Sequence, residues 1–564
     1  MLTNKSNAYD HHHDTTSSHN GDSCGHGRLV DLPNDLFLLV ISYLSPEDTF
    51  VCRRVCRTWQ STFSSEDVAS YLLKLHFPRS RELRFERTCP TREDRAAVYA
   101  EVARRYHHLR AAKPRSTEKI TIARQDKDSK MLHGVAPWSR FLHFNDYTAP
   151  FSHHDSVWCL ADSLIVYPDT DGRYCAYDLE TRNAFPVPFD ATDKTVRRIR
   201  LACGVLVFEW CEREPYHQLN DEETVHRHFA TAFDVASCAP RSSSRSPRFS
   251  VLRSEAGPSD WSITFRSEWK IHFLGFPLNR VDRFFSAHTA THYALYTWQP
   301  NRSPWGEADP PEQFTVWDIS FPSQYRPSTD PTGRDKPDVD LGPHVIQRLS
   351  WRDLDYLGLR QRDTPSLRQI LLDEHNVYVH EEEHRWLAGP QSSLVPPRHH
   401  LVRCTGFPIS GIGPKWFDEC CADGDVHLSF CPRSGSMARL RGGSGGDGGD
   451  SSSTTTATYT KDWPGFAPCW RHEEFPYLTM SEVVDAAAGV RIVARQCFMV
   501  EALSVFILPR ISVVHQADPE DADDGEVRFT DDMWGELMGK GRICGDERFL
   551  VGEDMEGRIT IVRF

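Results

Sequence analysis

Three apolar runs in this chain end on the same step: an aromatic residue, an aspartate and an aliphatic residue. They are Ala176-Tyr177-Asp178-Leu179, Ala232-Phe233-Asp234-Val235 and Val316-Trp317-Asp318-Ile319. A second recurrence sets Val166-x-x-Asp169-x-x-Gly172-Arg173-Tyr174 beside Val551-x-x-Asp554-x-x-Gly557-Arg558-Ile559. In both, a strand meets an acidic–glycine turn and a strand returns, which is hairpin chemistry. The aspartates of the first set stand 56 and then 84 residues apart. Units of about 40–50 residues, some lengthened by insertions, fit that spacing. From residue 116 to 564 the pattern therefore predicts a large, mainly β domain built of repeated units.

The N-terminal part is written differently. Leu32-Pro33-Asn34-Asp35-Leu36 opens a helix, with proline tolerated in the first turn and Asp35 near the positive end of the dipole. Leu36, Leu39, Val40, Tyr43 and Leu44 then fall on one helical stripe. Ser45-Pro46-Glu47-Asp48 starts a second helix at once, with Ser45 and Asp48 spaced as a capping box. That helix is expected to carry Phe50, Val51, Val55 and Trp59. Three short helices in so few residues enclose too little core to be stable alone. Such a module leans on the rest of the chain or offers its apolar face to a partner.

Taken together, Leu32-Pro33-x-x-Leu36, Val40-Ile41-x-Tyr43-Leu44-Ser45-Pro46-x-Asp48 and Val55-Cys56-Arg57-x-Trp59 resemble the F-box motif almost position for position. Two departures are Thr49, where the family usually has leucine, and Asp35 in place of the commoner glutamate. The resemblance implies that these helices dock on a Skp-type adaptor, which joins cullin and RING subunits in an SCF ubiquitin ligase. The residues it assigns to that contact are Leu32, Pro33, Leu36, Val40, Ile41, Leu44, Pro46, Val51, Val55, Cys56 and Trp59. It also implies that the β domain is the substrate receptor. A degenerate β-propeller, similar to the WD-repeat or kelch-type domains of other F-box proteins, is the architecture expected. A β-sandwich or an irregular all-β domain is the alternative.

The expected organisation is thus α+β and multidomain. It comprises a polar tail over 1–27, the F-box over 28–65, a helical linker over 66–115 and the propeller-like domain over 116–564. In the linker, Val68, Leu72 and Leu75 share a face, and Thr91-Arg92-Glu93-Asp94 reads as a capping-box start. Val98, Val102, Tyr106 and Leu109 follow at helical spacing, with Arg95, Arg104, Arg105 and Arg110 on the opposite, solvated face. The tail, with His11-His12-His13, lacks any periodic apolar signal and is expected to be disordered. Flexible insertions are expected near 237–250, 301–343 and 434–458, the last running through Gly442-Gly443-Ser444-Gly445-Gly446.

Composition narrows the function classes. The 65 Lys and Arg against 79 Asp and Glu give a net charge of −14, which argues against a general nucleic-acid binder. No run approaches the ~18 apolar residues needed to span a bilayer, and the N-terminus has no signal-peptide core. The 16 scattered cysteines form no disulfide framework and are read as reduced thiols of a cytoplasmic or nuclear protein.

His380-Glu381-Glu382-Glu383-His384 matches the H-E-x-x-H pattern of zinc proteases, which works only where a helix puts both imidazoles on one face. Here Val377-Tyr378-Val379 alternates like a strand and Gly389-Pro390 stops any helix. Cys404, Cys420, Cys421 and Cys431 lack paired C-x-x-C spacing. Cys52 and Cys56 are read as packing residues. No catalytic residue, metal or cofactor is therefore expected, and the target is an unidentified protein. The rival reading is a ligand-binding or enzymatic β domain whose F-box only controls its own turnover, or a scaffold outside any ligase.

Overall fold

The computed structural model describes residues 29, 32–86, 94–123, 157–218, 224–237, 261–272, 276–277, 283–299, 309–337, 342–362, 367–386, 398–413, 415–423, 477–501, 504–514, 526–539 and 542–564. The expected tail over 1–27 and insertion over 434–458 lie outside these residues, as does nearly all of 237–250. The chain divides into two compact units. One holds residues 1–78 and 94–103; the other holds 79–93 and 104–564.

The first unit contains α1 (Asn34–Ile41), α2 (Pro46–Cys52), α3 (Arg57–Phe63), α4 (Glu66–His76) and the first half of α6 (Arg95–Arg110). Ser45 caps α2 as expected: its Oγ accepts from the Asp48 N–H at 3.1 Å, and the Asp48 carboxylate accepts from the Ser45 N–H at 3.3 Å. The second expected helix is in fact two, because α2 ends at Cys52 and α3 restarts at Arg57. Asp94 starts α6 by accepting from the N–H groups of Ala96 and Ala97. The expected cap, Thr91, lies outside the described residues. The core comprises Phe37, Ile41, Phe63, Val68, Ala69, Leu72, Leu73, Phe77, Tyr99 and Val102. Phe37 meets Phe63 edge-on at 5.4 Å.

The second unit begins with α5 (Arg81–Glu86) and the rest of α6. Six four-stranded antiparallel sheets then form a six-bladed, propeller-like ring. β1 (Ser116–Thr121) is set aside for the last blade. Blade 1 is β2 (Cys159–Ala161), β3 (Leu164–Pro168), β4 (Tyr174–Asp178) and β5 (Ala184–Pro186). Blade 2 is β6 (Lys194–Ala202), β7 (Val205–Glu212), β10 (His228–Ser237) and β11 (Trp261–Lys270), with β8 (His217–Gln218), β9 (Thr224–His226) and β12 (Phe276–Pro277) as a small side sheet. Blade 3 is β13 (Arg283–His288), β14 (His292–Trp298), β15 (Glu312–Asp318) and β16 (His344–Leu349), followed by α7 (Trp351–Leu357).

Blade 4 is β17 (Leu367–Leu372), β18 (Asn376–Trp386), β19 (Arg398–Pro408) and β20 (Trp416–Asp423). Blade 5 is β21 (Tyr477–Asp485), β22 (Val490–Glu501), β23 (Ser504–Val514) and β24 (Glu526–Arg528), followed by α8 (Asp532–Leu537). Blade 6 is β25 (Ile543–Gly545), β26 (Phe549–Glu553) and β27 (Arg558–Arg563), completed by β1. β1 pairs antiparallel with β27, from Ser116 opposite Arg563 to Thr121 opposite Arg558. The sheet is thus closed by strands some 440 residues apart, and the apolar alternation of residues 559–564 is its seam.

The recurring aspartates lie on the third strand of blades 1, 2 and 3: Asp178 and Asp318 end theirs, and Asp234 stands three residues before the end of β10. Asp178 and Asp318 each accept from the N–H two residues on, at 2.9 and 2.8 Å, whereas Asp234 pairs with Arg266 at 2.9 Å. The two acidic–glycine turns are equivalent. Asp169 accepts from the Asp171 and Arg173 N–H groups, and Asp554 from those of Glu556 and Arg558. Gly172 and Gly557 both have φ +79°, a conformation that favours glycine at this turn position. One boundary is corrected. The expected excursion over 301–343 contains β15, the third strand of blade 3, because its Pro- and Asp-rich flanks obscure a seven-residue strand.

Apolar clusters bridge blade 6 to 1, 1 to 2, 2 to 3 and 3 to 4. Polar ties accompany them. Arg563 donates to the Leu179 carbonyl at 2.6 Å, Trp261 Nε1 to Asp178 at 3.2 Å, and Arg266 to the Ile319 carbonyl at 2.9 Å. Blades 5 and 6 are tied by the Ile543 N–H donating to Ser481 Oγ at 3.1 Å.

Candidate docking face of the helical unit

α1 is apolar nearly all round, so only part of it can face its own core. Phe37 and Ile41 point inward, with Ile41 fully buried. Leu36, Leu39, Val40 and Tyr43 point outward; Leu36 is 50% and Tyr43 86% exposed. Val51 on α2 and Val55 in the α2–α3 turn are 62% and 60% exposed, and Leu32 lies at the exposed entry to α1. Monomeric proteins rarely leave so many large aliphatic side chains in water together without a partner for them.

Of the residues assigned from sequence, Leu32, Pro33, Leu36, Val40, Val51, Val55 and Cys56 are exposed. Leu44, Pro46 and Trp59 are half-buried, and Trp59 stacks on Phe63 at 5.6 Å. Ile41 is the correction. It sits at the centre of the core and supports the face from beneath, because a stripe drawn through Leu36, Val40 and Leu44 places its neighbour one step round the helix. Leu39 and Tyr43, unassigned before, are among the most exposed apolar side chains here.

The Thr49 departure has a structural reason. Thr49 is fully buried, donates to the Pro46 carbonyl at 2.6 Å and lies 2.9 Å from the Tyr99 hydroxyl. A leucine would leave that hydroxyl without its side-chain partner. Arg53 spreads over the Phe50 ring at 4.8 Å and donates to the Phe63 carbonyl at 3.0 Å, fastening α2 to α3. Burial, and then Asp48, push the Cys52 thiol up, which keeps it protonated and suits a packing role.

In the propeller-like unit, sequence reasoning missed α7. Ser350 and Asp353 form a capping box there, a legible signal. The helix exposes Trp351 and Tyr356. Arg352 and Arg360 lie over the Trp351 ring at 5.2 and 5.6 Å, and Lys415 over Tyr356 at 4.3 Å. Exposed aromatics bracketed by cations are the residue types that dominate binding hot spots.

The H-E-x-x-H residues lie on β18, a strand as expected. Glu381 is buried, accepts from Gln361 Nε2 at 2.7 Å and pairs with Arg403 at 3.1 Å. The basic face of α6 is corrected at one position. Arg105 is buried and donates two hydrogen bonds of 2.8 Å to Glu82, because the turn of α6 that carries it packs inside the second unit.

These features define a helical docking module with an outward apolar face, carried by a chain that also holds a propeller-like domain. Residues 29–70 match the model of the F-box domain, so the helical unit carries an F-box domain. No curated protein sequence matches it. Among solved structures, a chain of the mitotic checkpoint complex is similar at 6% identity and a TM-score of 0.28, over 80% of this chain and 91% of that one. The N-terminal domain of Nup159 is similar at 11% identity and 0.21, over 72% and 74%. The tricorn protease is similar at 8% identity and 0.19, over 46% and 26%. The propeller-like assignment rests on the strand pairing described above.

Proposed function

We propose that this protein is a substrate-recognition subunit of an SCF-type ubiquitin ligase. Its F-box binds a Skp-type adaptor, and through it cullin and RING subunits. Its propeller-like unit binds a target protein, and catalysis of ubiquitin transfer belongs to other subunits. One observation carries the reading: an eight-residue helix that buries Phe37 and Ile41 and leaves Leu36, Leu39 and Val40 in water beside Val51 and Val55. Helix-in-groove recognition needs such a surplus apolar face. The engagement of Glu381 by Arg403 and Gln361 favours a receptor over a protease, since a general base must be available to the reacting water.

The test is adaptor capture by the full chain. Leu32→Ala combined with Pro33→Ala should abolish adaptor pull-down while the thermal transition of the propeller-like unit stays in place. Equal adaptor recovery from the double variant would overturn the reading. For target recognition, Trp351→Ala with Tyr356→Ala should reduce capture of co-purifying proteins, whereas Glu381→Gln should not. Proteolytic activity lost in Glu381→Gln would favour the enzyme instead.

A further inference from the structure

Among the described residues outside the helical unit, seven large apolar side chains are exposed, and four of them fall between residues 345 and 356. Val345 and Ile346 lie on β16, the outermost strand of blade 3, and Trp351 and Tyr356 on α7, which follows it. α7 buries Leu354 and Leu357 in the apolar cluster shared with blade 4. Its outward side is left with Trp351, Arg352, Asp355 and Tyr356, a spacing that one half of a helix carries. Trp351 is 53% and Tyr356 55% exposed.

Strand order fixes the end of the ring at which this side lies. Strands alternate in direction within each blade, so turns joining first to second and third to fourth strands gather at one end. Connections from a fourth strand to the next blade gather at the other. α5 touches the first end. The Arg81 N–H donates to Glu547 in the β25–β26 turn at 2.8 Å, and the Arg81 guanidinium reaches Glu180, after β4, at 2.8 Å. Arg84 lies 3.6 Å from Asp485 at the end of β21. α7 joins β16 to β17, a fourth strand to a first, and so stands at the opposite end, clear of α5.

Charge then selects the occupant. The carboxylates around α7 are engaged: Asp353 accepts from the Ser350 N–H at 2.8 Å, and Asp309 pairs with Arg360 at 2.6 Å. Asp355 lies 3.5 Å from Arg362 and 3.9 Å from Arg360. Arg352 is exposed, and among the described residues no carboxylate stands within ion-pair distance of it. A guanidinium that rests one face on an indole, as Arg352 does on Trp351, keeps its in-plane N–H groups for an acceptor, and a carboxylate meets them two at a time. Lys415, over Tyr356, is a second cation on this side. An incoming lysine or arginine finds the three carboxylates taken, whereas an incoming aspartate or glutamate finds Arg352. We infer that α7 docks an acidic segment of a target protein, with an aliphatic side chain against Trp351 and Tyr356 and a carboxylate on Arg352. A chain of net charge −14 repels such a segment in general, so this patch and not overall attraction supplies the contact. The inference rests on the receptor reading for calling the ligand a target, and adds its chemistry and its place of contact.

The test presents the full chain to immobilised peptides in which one leucine is flanked by glutamates, by glutamines or by lysines. The native chain should bind the glutamate peptide about tenfold more tightly than the glutamine peptide and leave the lysine peptide unbound. Arg352→Gln should abolish that preference and Arg352→Glu should reverse it, with the thermal transition unmoved because the position is exposed. Trp351→Ala should weaken the glutamate and glutamine peptides alike, and Glu381→Gln should weaken neither. No binding of any peptide, equal binding of the glutamate and lysine peptides, or a preference that survives Arg352→Gln overturns the inference. Adaptor pull-down with the same proteins separates the two readings. It stays intact where only this contact is wrong, and it fails in the native chain where the receptor reading is wrong.

Discussion

The hydroxyl of Tyr99 on α6 lies 2.9 Å from that of Thr49 on α2, inside the helical unit and fifty residues away in sequence. Because Thr49 gives its own proton to the Pro46 carbonyl, Tyr99 is the donor in this contact. Burial, before any charge, pushes the Tyr99 phenol up, so it stays protonated and able to donate.

Removing one partner leaves the other buried and unmatched, which costs about 1–3 kcal/mol. Thr49→Val and Tyr99→Phe should each lower stability by about that much in urea unfolding of the full chain. The double variant should cost less than the two singles added, because the shared hydrogen bond is lost only once. Strict additivity would show that the two hydroxyls are not coupled.

The inward and outward sides of α1 should separate function from folding. Ile41→Ala removes a fully buried side chain and should cost about 2–5 kcal/mol. Val51→Asp, at a position 62% exposed, should change stability by under about 0.5 kcal/mol yet abolish adaptor pull-down. The check is a thermal melt beside a binding assay for each variant.

In the second unit, Arg105 is gripped by Glu82 and also lies 3.7 Å from Glu547, to which the Tyr106 hydroxyl donates at 2.5 Å. Burial pushes the Glu82 carboxyl up, but the hydrogen bonds and charge of Arg105 outweigh it and hold the group below its ordinary range. Glu82→Ala would strand a buried guanidinium and should cost about 3 kcal/mol, as broken buried ion pairs do. Glu82→Gln, which keeps one acceptor, should cost less. Equal losses from the two variants would count against the ion pair.

Asp546 gives a pH dependence of known sign. Burial first, and the nearby Asp485 second, push its carboxyl up to about 7. The folded state then holds a proton that the unfolded state releases above its ordinary value near 4. Stability from this group is complete below that ordinary value and is lost as pH rises through about 7. Across pH 5 to 8, the urea midpoint of the native chain should fall relative to that of Asp546→Asn. Parallel pH profiles would refute the assignment.

Much of this protein was legible along the chain, because caps, turns and periodicity are decided within a few residues. Ser45 with Asp48, the turns at Asp169–Gly172 and Asp554–Gly557, and the strand character of Val377-Tyr378-Val379 all follow from neighbouring residues. The recurring aspartates disclosed a repeat because each lies at or near the end of the third strand of a blade. Other facts required tertiary structure. Ile41 proved to be core and not surface, since α1 is apolar on both sides and only packing chooses which side is covered. Arg105 is buried because Glu82 and Glu547, 23 residues before it and 442 after it, converge on it. His380 faces Cys404, and β1 closes on β27, because antiparallel register joins residues by strand order and not by sequence distance. Local chemistry set the elements of this chain; pairing and burial across long separations set which side chains meet.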